Sequence, residues 1–223
     1  MSLSTPKINS QVRSKQRVAN YGEVFTPDWM VKAMLDLVKQ ETERIDSRFL
    51  EPACGHGNFL AAILTRKLNV VEEKYKKSQL EFERYSILAV GSIYGIDLQL
   101  DNIKEARERL VGIFTERYSR LFKSDVKGDC IRSISFVLEK NIVVGDALEM
   151  TIAKGSEVPI VFSGWSLPFN DSRVQRHEYV FEHLSPGIPM DSLFKDTGEE
   201  GFIPKPIREF PLTHFLKIAD VVE

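Results

Sequence analysis

The feature that most restricts this chain is the turn Glu51-Pro52-Ala53-Cys54-Gly55-His56-Gly57. It follows the strand-like run Arg48-Phe49-Leu50 and precedes a helix that should begin near Asn58 and bury Phe59, Leu60, Ile63 and Leu64. Glycine lacks a Cβ, so such a turn lets bare backbone approach a ligand closely. A strand, a glycine turn and an apolar helix in that order open a parallel βα unit, which cannot stand alone.

The rest of the chain repeats the alternation. Thr26-Pro27-Asp28 opens a helix, with Thr26 as cap and Pro27 in the first position. Met30, Val31, Met34, Leu35 and Val38 then fall on one face. Val71 to Ser86 reads as a charged surface helix. Ser92 to Asp97 reads as a strand ending in an acid, and Asp101 to Leu121 as a helix with Ile103, Ala106, Leu110, Phe114 and Leu121 on one stripe. Asn141 to Asp146 is a third strand ending in an acid, and Val158 to Phe162 a fourth. The fold expected is therefore α/β with a parallel sheet. In such sheets ligands bind beyond the carboxyl ends of the strands. Gly55, Gly57, Asp97 and Asp146 all fall there. Residues 164–211 carry many Gly and Pro breaks and predict irregular segments with little sheet, followed by a helix from His214 to Val222.

Composition narrows the class. The chain has 223 residues, which by length is one domain with extra elements. Fourteen Phe against two Cys argue against a disulfide scaffold, and the separated Cys54 and Cys130 fit a reducing compartment. No unbroken apolar run reaches membrane-spanning length, and the polar N-terminus lacks a secretory h-region, so a cytoplasmic protein is expected, with no membrane partner. The four histidines, His56, His177, His183 and His214, lack zinc spacing, so no metal is expected. The net charge of −2 excludes a globally basic nucleic-acid binder. Residues 1–20 nevertheless carry Lys7, Arg13, Lys15 and Arg17 without an acid, a basic, flexible arm suited to phosphates.

The glycine turn fits two ligand classes. A dinucleotide site wants a small residue at the end of G-x-G-x-x-G/A, where this chain has Leu60. Glu51, four residues before Gly55, would repel a pyrophosphate and attract a cationic sulfonium or amino group.

Phe49-Leu50-Glu51-Pro52-Ala53-Cys54-Gly55-His56-Gly57-Asn58-Phe59-Leu60 resembles the S-adenosylmethionine motif of the adenine-N6 DNA methyltransferases. Gly22-Glu23-Val24-Phe25-Thr26-Pro27 is similar to the motif that precedes it in that family. Tyr94-Gly95-Ile96-Asp97 looks like the segment whose acid binds the ribose hydroxyls. Asn141 to Leu148 looks like the segment whose acid binds the adenine amine. The likeness covers about residues 21–150. It implies a Rossmann-like, S-adenosylmethionine-dependent methyltransferase sheet, incomplete at its C-terminal end. It further implies cofactor contacts at Phe25, Thr26, Glu51, Pro52, Ala53, Gly55, Gly57, Asp97, Asp146 and Ala147.

The family's catalytic Asn/Asp/Ser-Pro-Pro-aromatic tetrapeptide is absent. The nearest segment is Ser166-Leu167-Pro168-Phe169, after the fourth strand, with Leu167 in place of one proline. Ser166, Pro168 and Phe169 are thus the candidate catalytic residues, although the residues alone read equally as a surface turn. The resulting organisation is an arm over 1–20, a cofactor-binding domain over 21–170 and an irregular extension over 171–223. The expected function is methyl transfer from S-adenosylmethionine to adenine N6 of double-stranded DNA in a restriction–modification system. A second polypeptide would complete the sheet or read the target. The alternatives are a catalytically inactive cofactor- or DNA-binding subunit, and a methyltransferase of RNA or protein amides. A dehydrogenase fits least.

Overall fold

The computed structural model of the protein describes Arg17, residues 24–184 and residues 204–221. The rest of the basic arm, Gly22 and Glu23, and residues 185–203 of the extension lie outside the described residues. The architecture is α/β and compatible with a Rossmann-like arrangement. Strands β1 (Phe49–Glu51), β2 (Ile93–Asp97) and β3 (Ile142–Val144) form a parallel sheet in the order β1-β2-β3. Helices α1 (Asp28–Asp36), α2 (Lys39–Thr42), α3 (Asn58–Tyr75), α4 (Gln79–Gly91), α5 (Leu100–Phe122) and α6 (Gly128–Asn141) accompany it.

Strand β2 is buried from both sides, and its alternation sorts the core. Ile93 joins the helical cluster around Leu60, Leu64, Phe114 and Ile134, and Gly95 faces Leu60 and Cys54. Tyr94 and Ile96 point the other way, into a smaller cluster with Ile160, Phe162 and Phe181. Removing an isoleucine side chain from water contributes about 1.5–3 kcal/mol. Ile93 and Ile96 are both fully buried, so the middle strand is the best-anchored element of the sheet.

The fourth strand departs from expectation. Strand β4 (Val161–Ser166) does not extend the parallel sheet; it pairs antiparallel with β5 (Arg173–Val180), which also pairs with β6 (Arg208–Glu209) and β7 (Thr213–His214). A parallel return needs a crossover of a dozen or more residues, usually a helix. Residues 145–160 form no helix, only bridges from Thr151 to Asp146 and Pro159. The chain therefore turns back and runs across the sheet face. At one end Ile160 packs so closely that a β-carbon on Gly145 would stand 2.6 Å from its Cδ1; at the other, Trp165 stands 2.9 Å from a β-carbon on Gly91. Buried Asn141 bolts the layers together, donating to the Gly91 carbonyl at 3.2 Å and accepting from the Ser163 amide at 3.2 Å.

Further corrections follow from packing. Val71 to Ser86 is not one surface helix: it breaks after Tyr75, and Ser78 caps α4 by accepting from the Glu81 amide. In α4, Phe82, Glu83 and Arg84 are buried. The Glu83 carboxylate accepts from Lys127 Nζ and Gln79 Nε2, both at 2.9 Å, and from the Tyr118 hydroxyl. That pairing is what lets an acid sit in the core. On α1, Pro27 is the cap residue rather than Thr26, its carbonyl accepting from Met30 and Val31; only Val31 and Leu35 are buried, and Met30, Met34 and Val38 are exposed. Helix α6 was not anticipated. The segment read as having little sheet contains β5, and the expected last helix is a 3-10 turn over Phe215–Asp220. Beyond residue 170, Val174, Phe215 and Ile218 pack into the helical cluster. Among the described residues no helix is long and apolar enough to cross a membrane, and no group of three or more His, Cys, Asp or Glu could hold a metal.

The chain entering β1 is held by a single buried lysine. Lys67 Nζ donates to the carbonyls of Arg44 at 2.7 Å, Ile45 at 3.2 Å and Ser47 at 2.6 Å, while burial pushes its ammonium down to about 8. Replacing Lys67 by Met keeps the volume but leaves three carbonyls without this donor. Urea denaturation should show Lys67→Met less stable than the parent by about 3 kcal/mol.

Candidate cofactor crevice

Gly55 and Gly57 sit in the left-handed region, with φ of +51° and +85°. These angles suit glycine and fold the turn tightly over the end of β2. Two links hold it. The Cys54 amide donates to the Ile96 carbonyl at 2.8 Å, and the Gly55 amide donates to Asp97 Oδ2 at 2.9 Å. Gly57 packs against α5, where a β-carbon would stand 3.2 Å from that of Ala106, and its carbonyl starts α3 by accepting from Ala61.

The segment before α1 folds onto this turn. Phe25 stacks on His56 with ring centres 3.9 Å apart and covers Gly55, where a β-carbon would stand 3.0 Å from the Phe25 ring. Asn58 Nδ2 donates to the Thr26 carbonyl at 2.8 Å, and Asn58 Oδ1 accepts from Arg109 at 2.6 Å. Arg17, the described member of the basic arm, is not free in solvent: it pairs with Asp101 at 2.6 Å, at the start of α5.

These elements enclose a cavity of about 360 Å³ beyond the carboxyl ends of all three parallel strands. Of the ten residues expected to contact a cofactor, Phe25, Thr26, Glu51, Pro52, Ala53, Gly55, Asp97, Asp146 and Ala147 line it. Gly57 does not; it lies behind the turn, against α5. Strand-end placement explains the convergence, because parallel strands deliver their last residues to one rim.

The three acids are prepared differently. Asp97 Oδ1 accepts from the Gln99 amide at 2.8 Å and from Asn102 Nδ2 at 3.1 Å, so with Gly55 on Oδ2 about one of its four acceptor positions is left. Asp146 Oδ1 accepts from the amides of Leu148 and Glu149 at 2.9 and 3.1 Å, a turn that fixes the carboxylate while its Oδ2 has no partner among the described residues. Glu51 receives only a long contact from the Ala53 amide at 3.4 Å, and burial raises its carboxyl above the ordinary value. A half-buried acid with so little support favours a cationic neighbour. The thiol of Cys54 is pushed up by burial and by Asp97 and Glu51, which makes it a packed, unreactive side chain.

Sequence reasoning missed several wall residues. Leu98 and Leu148 line the cavity while 51% and 95% exposed, two apolar side chains at its mouth. Each directly follows, or lies two beyond, a strand-end acid, a positional signal that was there to be used. His56 and Asn102 also line it. Among the described residues no Lys or Arg does, so the described wall of the crevice is acidic and partly apolar.

Ser166, Pro168 and Phe169 are not brought to this crevice. They line a different cavity with Arg48 and Ser92, at the amino ends of β1 and β2. The reason is the reversed direction of β4, which carries its last residues to the opposite rim. Comparison of the chain with protein-family models, with curated proteins and with solved structures returns no significant match.

Since the Glu51 carboxyl is raised on folding, the folded state holds its proton more tightly than the unfolded chain, and stability falls as pH rises through and above 4.5, its ordinary value. Glu51→Gln should therefore raise the melting temperature by a few degrees at pH 7, and the advantage should vanish as pH falls below 4.5. A calorimetric pH series on both proteins checks this.

Proposed function

We propose that the crevice binds S-adenosylmethionine and that the chain is the cofactor-binding subunit of an adenine-N6 methylation system acting on double-stranded DNA. The observation that carries this reading is the convergence of Glu51, Asp97 and Asp146, from three separate strand ends, on one cavity behind a glycine turn. When bound, the cofactor supplies an electrophilic methyl group on sulfonium. Glu51 offsets that positive charge, and the remaining acceptor capacity of Asp97 takes a ribose hydroxyl. Asp146 Oδ2 accepts from the adenine amine between the apolar walls Leu98 and Leu148. The Gly55–Asp97 latch keeps the turn in place, so the chain's contribution is orientation.

The acceptor side of the reaction is assigned to another polypeptide. An exocyclic amine is a weak nucleophile that needs a polar acceptor and a carbonyl beside the methyl group, and Ser166-Leu167-Pro168-Phe169 lies at the far rim. This placement favours a subunit without methyl transfer of its own over a self-sufficient methyltransferase.

S-adenosylmethionine should raise the melting temperature and NAD should not. Asp146→Ala should weaken cofactor binding by about 1–3 kcal/mol, measured by titration calorimetry; unchanged affinity would remove Asp146 from the site. The chain alone should transfer no tritiated methyl to genomic DNA. Transfer by the isolated chain would overturn the subunit assignment and leave the cofactor assignment intact.

A further inference from the structure

The cavity at the amino-terminal rim of the sheet encloses about 500 Å³, large enough for a small ligand. Its chemistry is the inverse of the crevice. Two arginines, Arg48 and Arg84, line it against one acid, Asp46, which already faces Arg44 at 3.7 Å. Arg48 is exposed and has no hydrogen bond or ion pair among the described residues. Arg84 is 2% exposed; its Nη1 donates to both oxygens of Glu81 at 2.9 Å and its Nη2 to the Phe169 carbonyl at 3.3 Å. Arg84 Nε and Trp165 Nε1 are buried donors without a partner, on two residues that both line the cavity. Two donors packed beneath this wall thus lack acceptors, and the exposed Arg48 guanidinium is open to an anion.

The same wall carries an aromatic platform. Phe169 is 51% exposed, although a phenylalanine gains by burial, and Arg173 sits 5.1 Å from its ring centre. The Arg84 contact to its carbonyl ties this platform to α4. Ser166 and Asn170 add neutral polar groups to the lining.

We infer that this cavity is a second binding site, for a nucleoside monophosphate unit: its phosphate on Arg48 and its base against Phe169. The unit is either a free nucleotide or the unpaired end of a nucleic-acid strand. The two rims then divide ligands by charge, and the acid-lined crevice, without a lysine or arginine among the described residues of its wall, disfavours the phosphate that this rim accepts.

Titration calorimetry of the full chain with adenosine monophosphate, with inorganic phosphate and with a short single-stranded oligonucleotide tests the assignment. Adenosine monophosphate should bind saturably and more tightly than phosphate, and added salt should weaken it. Arg48→Ala should lower its affinity about tenfold, the loss of one charged contact. Phe169→Ala should lower it about five- to tenfold, the scale of one stacked base. Both side chains are exposed, so melting curves should match the parent. Asp146→Ala should leave this binding unchanged, which separates it from the crevice and from the fate of the cofactor reading. Tighter binding of the oligonucleotide than of the mononucleotide assigns the unit to a strand, and equal or weaker binding to a free nucleotide. The inference is overturned by no saturable binding of either, by affinities indifferent to Arg48→Ala and Phe169→Ala, or by loss of binding in Asp146→Ala.

Discussion

A strand can return parallel to its predecessor only if the connection is long and stiff enough to cross the sheet, and the stretch after β3 contains no helix to do so. The path of the chain from β3 through β5 follows from that constraint. β4 reverses, finds its partner in β5, and uses its apolar face to cover Tyr94 and Ile96. Among the described residues the parallel sheet consequently has three strands, with β1 at one edge. The segment after β4 reaches the amino-terminal rim, opposite the glycine turn.

The two rims differ in charge because strand polarity separates what each collects. At the carboxyl ends, Glu51 and Asp97 terminate β1 and β2, and Asp146 follows β3 closely. At the amino ends, the cavity wall draws on the segment before β1, on α4 and on the residues after β4, and brings Arg48 and Arg84 together. The acids of the crevice are also structural: the Asp97 carboxylate anchors the Gly55 amide, and Asp146 organises the turn that follows it. Fold and ligand chemistry are thus coupled through the same oxygen atoms.

Where sequence periodicity failed, packing is the reason. The stretch Val71 to Ser86 looks uniformly charged, yet Glu83 and Arg84 are buried: the acid is met by Tyr118 and Lys127, remote in sequence, and the base by Glu81 one turn away and by the distant Phe169 carbonyl. Strand β5 was illegible because of its side chains only Val174 and Arg176 are buried, and the arginine lies over the rings of Phe136, Trp165 and Phe210. No local pattern announces an arginine whose environment is three aromatic rings from separate segments.

What the sequence determined by itself is the carboxyl rim. The glycine turn, the strand-end acids and the helix stripe of α5 are each written in a short local run, of glycines at backbone angles open mainly to glycine, of an acid closing an apolar strand, or of apolar residues at helical spacing, so they are legible residue by residue, although the Gly55–Asp97 link that joins them is not local. What only the tertiary structure decided is the direction of β4 and, with it, the rim to which Ser166 and Phe169 belong. An apolar run reads the same in either direction; its orientation is chosen by which face of the sheet needs covering and by whether the connection can cross it.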